Sequence, residues 1–79
     1  MQEPLVRVRI HIKRSEEISL RTLRKFVCKA AKVSKNAIGS IELGDEHADV
    51  EVRRTAAHAL AALGEIDVKG QTARVELPR

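Results

Sequence analysis

Apolar and basic residues alternate without a break from Val6 to Lys13. Successive side chains of a β-strand point to opposite faces of its sheet, so this alternation predicts a strand. Four aliphatic side chains would face a core, and three cations and one histidine would face the other side. We therefore predict a strand over residues 5–13, in a sheet with one solvent-exposed face.

A helix is predicted over residues 20–32. Ser19 suits the N-cap because its hydroxyl can accept a hydrogen bond from an unpaired first-turn N–H, and Ile18 can pack on Leu23 as a hydrophobic staple. Apolar residues recur at the i, i+3, i+4, i+7 spacing of a buried stripe. The cations of the opposite side are Arg21, Lys25, Lys29 and Lys32, with Arg24 nearer its edge.

The next segments predict a β-hairpin followed by a second helix. Residues 38–43 and 47–52 alternate in polarity around a Gly-Asp-Glu turn, while the preceding residues 33–37 predict a turn or a short extra helical turn. Residues 53–63 are rich in alanine and predict a helix that stops at Gly64, whose freedom to adopt positive φ suits this position.

The C-terminal residues complete a ferredoxin-like pattern. Residues 66–70 are predicted as a connection and residues 72–77 as the last strand, which Pro78 ends. The order βαββαβ predicts an α+β domain over residues 1–79, with a four-stranded antiparallel sheet and both helices on one of its faces. The first and third strands would then be central, and Asp49, Glu51 and Glu76 could neutralise cations of the first strand.

The chain offers little for catalysis. Its 79 residues make one small domain with little room for a catalytic cavity. No C-x-x-C or H-x-x-x-H spacing predicts a metal site, and the scattered glycines form no phosphate-binding loop. Cys28 borders the apolar stripe of the first helix, where a packed, inert thiol is expected. We predict no catalytic residue, no metal and no cofactor.

Cysteine content and hydropathy favour a cytoplasmic location. Cys28 is the only cysteine and cannot form an internal disulfide, which fits a reducing compartment. No apolar run approaches the roughly 20 residues that a membrane span needs, and the N-terminus lacks the apolar stretch of a signal peptide. We expect a soluble protein without a membrane partner.

The net charge of +4 is unevenly distributed along the chain. Residues 1–36 contain ten Lys and Arg against three acids, and residues 37–79 contain five against eight. A clustered positive field attracts phosphate, so the first half favours a polyanionic partner. The alternative is that the basic residues only keep a small domain soluble.

Several segments together resemble the DbpA-type RNA-binding domain, a variant of the RNA-recognition-motif fold found at the C-terminus of some bacterial DEAD-box helicases. These segments are the first strand with its polar connection and capped helix, the sequence Ile38-Gly39-Ser40-Ile41-Glu42-Leu43, Val50-Glu51-Val52, and Lys69-Gly70 shortly before Arg74-Val75-Glu76-Leu77. The resemblance implies an accessory module that delivers a helicase to structured ribosomal RNA during ribosome biogenesis. ATP hydrolysis would reside in helicase core domains elsewhere in the natural chain.

The chain departs from the family where RNA-recognition motifs usually stack bases on aromatic side chains. Family members often have aromatics around the third strand, where this chain has Gly44, His47 and Asp49, and the following proline is replaced by Arg53. Trp and Tyr are absent and Phe26 is the only aromatic residue. Cations can still bind phosphate, so structured or double-stranded RNA is the predicted ligand.

Two basic surfaces are candidates for RNA contact. The preferred one is a basic edge of the sheet that continues into the start of the first helix, and the other is the cationic face of that helix. The predicted RNA-binding residues are Arg7, Arg9, Lys13, Arg14, Arg21, Arg24 and Lys25. A different function also remains open, namely a protein-interaction or dimerisation module, although a monomer is favoured.

Overall fold

The computed structural model describes residues 4–77. Five strands and two α-helices follow one another in this part of the chain, with a short 3-10 helix at Lys35–Ala37. In chain order the elements are β1 (Leu5–His11), α1 (Leu20–Ala31), β2 (Ile38–Leu43), β3 (Ala48–Arg53), α2 (Arg54–Leu63), β4 (Glu65–Val68) and β5 (Gln71–Glu76).

The five strands form one sheet in the order β2-β3-β1-β5-β4, and every neighbouring pair is antiparallel. Strand β1 is central, with β3 on one side and β5 on the other. The register places Arg9 opposite Asp49 of β3 and opposite Glu76 of β5. Residues directly opposite each other share a face of the sheet, so this register fixes which charges meet.

The core lies between the helices and one face of the sheet. Val8 and Ile10 of β1 are fully buried there, together with Leu23 and Val27 of α1 and Leu60 of α2. Every buried side chain in the described part of the chain is apolar. The α+β class and the two helices on one face are therefore confirmed, and the other face of the sheet is open.

Helix α1 begins as predicted. The Ser19 hydroxyl accepts a hydrogen bond from the Thr22 backbone N–H at 3.2 Å, and Ile18 and Leu23 are both buried. The helix ends at Ala31, and Lys32 follows with a φ of 57°. The Lys32 N–H donates to the Lys29 carbonyl at 3.3 Å, so the last turn is closed one residue earlier than predicted.

The predicted strand number is wrong, because the sheet has five strands. The segment predicted as a connection contains β4, whose Ile66 and Val68 are buried and alternate with exposed acids. Lys69 and Gly70 form the turn to β5 and have φ values of 52° and 83°. Positive φ at both central residues suits a two-residue hairpin turn, so a short edge strand folds back onto β5.

Other boundaries differ from the prediction by one or two residues. Strand β1 ends at His11, two residues early, although Ile12 beyond it is still buried. Strand β3, helix α2 and strand β5 are each shifted by one residue at one or both ends. Gly64 has the expected positive φ, 78°, after α2. The predicted end of the last strand at Pro78 lies outside the described residues.

Candidate functional site

The open face of the sheet contains charges of both signs. Exposed positions alternate with core positions along every strand, and the register brings their side chains to one surface. We call this surface the open sheet face. Its charged and titratable residues are Arg7, Arg9, Arg53, Arg74, His11, Glu42, Asp49, Glu51, Glu65, Asp67 and Glu76. Acids therefore outnumber arginines by six to four.

Arg9 and Asp49 form an ion pair at the centre of this face. The Arg9 Nε donates to Asp49 Oδ1 at 3.1 Å, and the Asp49 side chain is only 12% exposed. The hydrogen bond from Arg9 lowers the pKa of Asp49, and Asp49 in turn raises the pKa of Arg9. The cation is thus already neutralised by a partner on the neighbouring strand.

A second pair lies on the other side of β1. His11 Nε2 is 2.6 Å from Glu76 Oε2, and this hydrogen bond lowers the pKa of Glu76. Arg7 lies directly opposite Glu51 of β3. The prediction that acids of neighbouring strands pair with β1 is confirmed for Asp49 and Glu76. A shallow groove between these pairs is lined by Arg7, Arg9, Asp49, Glu76 and Leu77.

The structure places the cations of the predicted basic edge on the central strand and beyond its end. Arg7 and Arg9 belong to the central strand, because β3 and β5 flank it on both sides. Lys13 lies beyond the end of β1, where its backbone N–H donates to the Gln71 side-chain oxygen at 3.1 Å. The two sheet cations of the predicted site, Arg7 and Arg9, therefore lie on a strand that has a neighbouring strand on each side.

Arg14 lies at the end of the molecule where the β2–β3 turn meets the segment before α1. Its backbone N–H donates to the Asp45 carbonyl at 2.9 Å. A groove at this end is lined by residues that include Arg14, Ser19, Leu20 and Leu43. The two connections that meet here also contribute four exposed acids, Glu16, Glu17, Asp45 and Glu46. The local charge at this end is mixed.

The outer face of α1 has a different character. Its cations are exposed, and none of them forms an ion pair with any residue from 4 to 77. The helix contains no acidic residue. We call this surface the α1 cation ridge; it consists of Arg21, Arg24, Lys25, Lys29 and Lys32.

The predicted site residues therefore fall into three groups. Arg7 and Arg9 lie on the open sheet face, Lys13 and Arg14 lie at one end, and the other three lie on the α1 cation ridge. Lys29 and Lys32 share that ridge, although they were left out of the predicted site. Helical periodicity identifies Lys29, which lies on the side of the helix opposite Leu23, Val27 and Ala31, whereas Lys32 directly follows the last helical residue.

No platform for base stacking is present on the described part of the open sheet face. Phe26 is on α1, where it is half-buried against the core. Gly44 and His47 belong to the β2–β3 turn, where the Gly44 N–H donates to the His47 carbonyl at 2.8 Å. Asp49 is engaged by Arg9. Interactions with nucleic acid from this chain would therefore rely on charge and hydrogen bonding.

Other reactive side chains are dispersed. Cys28 is a free, half-buried thiol on α1. Residues 4–77 contain no group of three His, Cys, Asp or Glu side chains arranged to hold a metal ion. No helix in the same range is long and apolar enough to cross a lipid bilayer.

Comparison with known proteins places these features in context. A family profile described as the DbpA RNA binding domain matches residues 7–77. The match covers all five strands apart from the first two residues of β1, and both helices. It confirms the resemblance predicted from the sequence. None of the curated proteins matches the chain.

Proposed function

Because the chain belongs to the DbpA RNA binding domain family, we propose that it is an accessory module that binds structured RNA mainly through its phosphates. An RNA-binding domain is not itself catalytic. Phosphate contacts determine where a protein lies on a nucleic acid and supply most of the salt-sensitive affinity. The predicted residues Lys13, Arg14, Arg21, Arg24 and Lys25 are the proposed contacts, since they lie away from the acid-rich open sheet face and none of them has an ion-pair partner among residues 4–77.

One observation supports this mode of binding above the others. The open sheet face, on which RNA-recognition motifs ordinarily stack bases, lacks Phe, Tyr and Trp throughout its described residues. Stacking of a base on an aromatic ring typically contributes about 1 to 3 kcal/mol. Without that contribution, affinity for unpaired bases must be low, whereas cations can bind the phosphates of a folded RNA.

The biological setting is proposed from the family resemblance. Ribosomal RNA is the proposed target, and the helicase core domains of an ATP-dependent DEAD-box enzyme are the proposed neighbours in the natural chain. Those core domains would hydrolyse ATP and act on the RNA that this module binds. We also propose a cytoplasmic location, as the lone Cys28 suggests.

A monomer is the proposed state of the isolated domain. Among residues 4–77, the exposed large hydrophobic side chains are Leu5, Leu20 and Leu63, which lie on three different elements. Stable interfaces usually contain a contiguous apolar centre. Sedimentation equilibrium over a wide concentration range should give the mass of one chain, and a concentration-dependent dimer would instead favour a dimerisation module.

The function is tested by fluorescence anisotropy with a ribosomal RNA stem-loop in low salt. We expect saturable binding that weakens as salt rises. Replacing Arg14 and Arg21 by glutamate should abolish most of the affinity without lowering the melting temperature. A matched control replaces Arg54 and Lys69 by glutamate as well. These two exposed cations lie on α2 and in the β4–β5 turn, and the control should retain binding. Absence of binding by the unmodified chain in low salt would refute the proposal.

A further inference from the structure

We infer that the RNA lies against the α1 cation ridge and leaves the open sheet face uncovered, and that the part of the RNA held there is a double-helical stem. This inference rests on the proposed function. It reverses the usual arrangement of RNA-recognition motifs, in which the sheet is the nucleic-acid surface.

The distribution of charge is the first argument. The open sheet face has six acids and four arginines, and its central cation is paired with Asp49 at 3.1 Å. The α1 cation ridge has five cations and no acid on the same helix. A phosphate strand approaching the sheet would meet a net negative surface, whereas the ridge offers only positive charge.

The position of the ridge cations along the helix is the second argument. The N-terminus of a helix has a partial positive charge, so acids in the first turn are stabilising and cations are not. Helix α1 has no acid in its first turn and has Arg21 there. Lys29 in the last turn is favourable for helix stability, but Arg21 is unfavourable. Helix stability therefore explains only part of the ridge.

Geometry supplies the third argument. Helix α1 has 12 residues, and Arg21, Lys25 and Lys29 follow one another at intervals of four. Each interval advances about 6 Å along the axis, so the cations form a line on the side opposite the buried residues. The line lies along the outer surface of the domain, where one strand of an RNA stem can follow it.

The absence of Phe, Tyr and Trp from the α1 cation ridge favours a double-helical stem over a single strand. Proteins recognise double-stranded RNA largely by its shape and by contacts to phosphates and 2′-hydroxyls, without access to base faces. The α1 cation ridge contains cations only, and Phe26 on the same helix is directed toward the core. The ridge therefore matches the chemistry of a stem backbone.

Two matched double variants of the full 79-residue chain test the location. One variant, Lys25→Gln with Lys29→Gln, removes two charges from the ridge. The other, Arg53→Gln with Arg74→Gln, removes two charges from the open sheet face. Each variant is titrated with an RNA stem-loop and with an unstructured RNA of equal length, at several salt concentrations. Melting curves check that both variants remain folded.

The ridge variant should bind the stem-loop on the order of 10- to 100-fold more weakly, and the slope of log affinity against log salt should fall by about 2. The sheet variant should change affinity by less than about threefold and keep the slope. The unmodified chain should bind the stem-loop more tightly than the unstructured RNA.

Three outcomes would overturn the inference. They are equal losses in the two variants, a larger loss in the sheet variant, and tighter binding of the unstructured RNA by the unmodified chain. In the first two cases the unmodified chain still binds the stem-loop more tightly than the unstructured RNA, so the proposed function survives. Tighter binding of the unstructured RNA would also contradict structured RNA as the ligand. A chain that binds neither RNA refutes the proposed function itself, which distinguishes the two failures.

Discussion

The open sheet face and the α1 cation ridge contain nearly equal numbers of cations, but the two surfaces differ in what surrounds them. On the sheet, Arg9 is hydrogen-bonded to Asp49 and lies opposite Glu76 as well. On α1, no residue between 4 and 77 forms an ion pair with any ridge cation. Under our proposal, a basic residue indicates a phosphate-binding surface only where its neighbours leave its charge uncompensated.

Secondary structure explains why the two surfaces differ. A strand residue faces a neighbour on each adjacent strand at a Cβ distance of roughly 4.5 to 5.5 Å. Asp49 of β3 therefore reaches Arg9, and Glu76 of β5 reaches His11. An outward helical residue finds partners chiefly three or four positions along its own helix. Helix α1 has no acid at those positions, so its charges remain available.

Salt concentration should have the largest effect, and it should change RNA affinity far more than it changes stability. If the domain contacts four or five phosphates, raising salt fourfold should weaken RNA binding by roughly 100- to 500-fold. The same change should alter the melting temperature little, because exposed ion pairs contribute little to stability. Anisotropy titrations and thermal melts in the same buffers measure both quantities. Salt-insensitive RNA affinity would contradict phosphate binding by free cations.

Arg21→Glu should affect binding and stability in opposite directions. The new carboxylate would interact favourably with the partial positive charge at the start of α1. It would therefore raise the free energy of unfolding by about 0.3 to 1 kcal/mol. It would also place a negative charge on the α1 cation ridge and weaken RNA binding about 10-fold or more. Urea unfolding and anisotropy check the two effects. A variant that is both less stable and weaker in binding would indicate a structural role for Arg21.

Ser19→Ala should give the complementary result. The substitution removes the hydroxyl that accepts the Thr22 N–H, and loss of such a cap typically costs about 1 kcal/mol of stability. The ridge side chains are unchanged, so RNA affinity should fall by less than about threefold at a temperature where the variant is folded. Urea unfolding and anisotropy are again the measurements. A loss of affinity as large as that of Arg21→Glu would mean that the cap itself contributes to the RNA site.

Asp49→Asn should have the smallest effect. It removes the charge partner of Arg9, so stability at neutral pH should fall slightly. Because Arg9 lowers the pKa of Asp49, the wild-type advantage is present above the carboxyl's unfolded pKa and is lost as pH falls below about 4. Urea unfolding of both proteins between neutral and acidic pH measures this convergence.

The same variant also tests the open sheet face directly. Asp49→Asn frees Arg9 and removes one negative charge from the open sheet face, so RNA bound there would bind severalfold more tightly. Binding on the α1 cation ridge predicts a change of less than about twofold. Anisotropy at one low salt concentration distinguishes the two results.

Local patterns in the sequence predict most of this fold. The alternation in β1, the cap at Ser19 and the turn at Gly64 each depend on neighbouring residues, and each is found in the structure. The sequence pattern does not predict the fifth strand, because β4 has only four residues and is followed directly by a Lys-Gly turn. Its two buried residues, Ile66 and Val68, show the period of a strand only over a very short span.

The candidate site is less predictable from sequence than the fold. The cations of α1 share a face by local periodicity, so the sequence identifies the ridge. The neutralisation of Arg9 depends on the register of three strands that are distant in the chain, and a pattern along β1 alone shows only alternating basic residues. The alternation of apolar and basic residues in β1 therefore belongs to a central strand whose Arg9 is paired with Asp49.

Backbone amide NMR spectra of the labelled domain, titrated with an RNA stem-loop, test the central claim most directly. We predict that the largest shift changes lie between Arg21 and Lys32, while amides of His11, Asp49 and Arg74 on the open sheet face change little. The largest changes at the central strands β1 and β3, with α1 unaffected, would contradict the account.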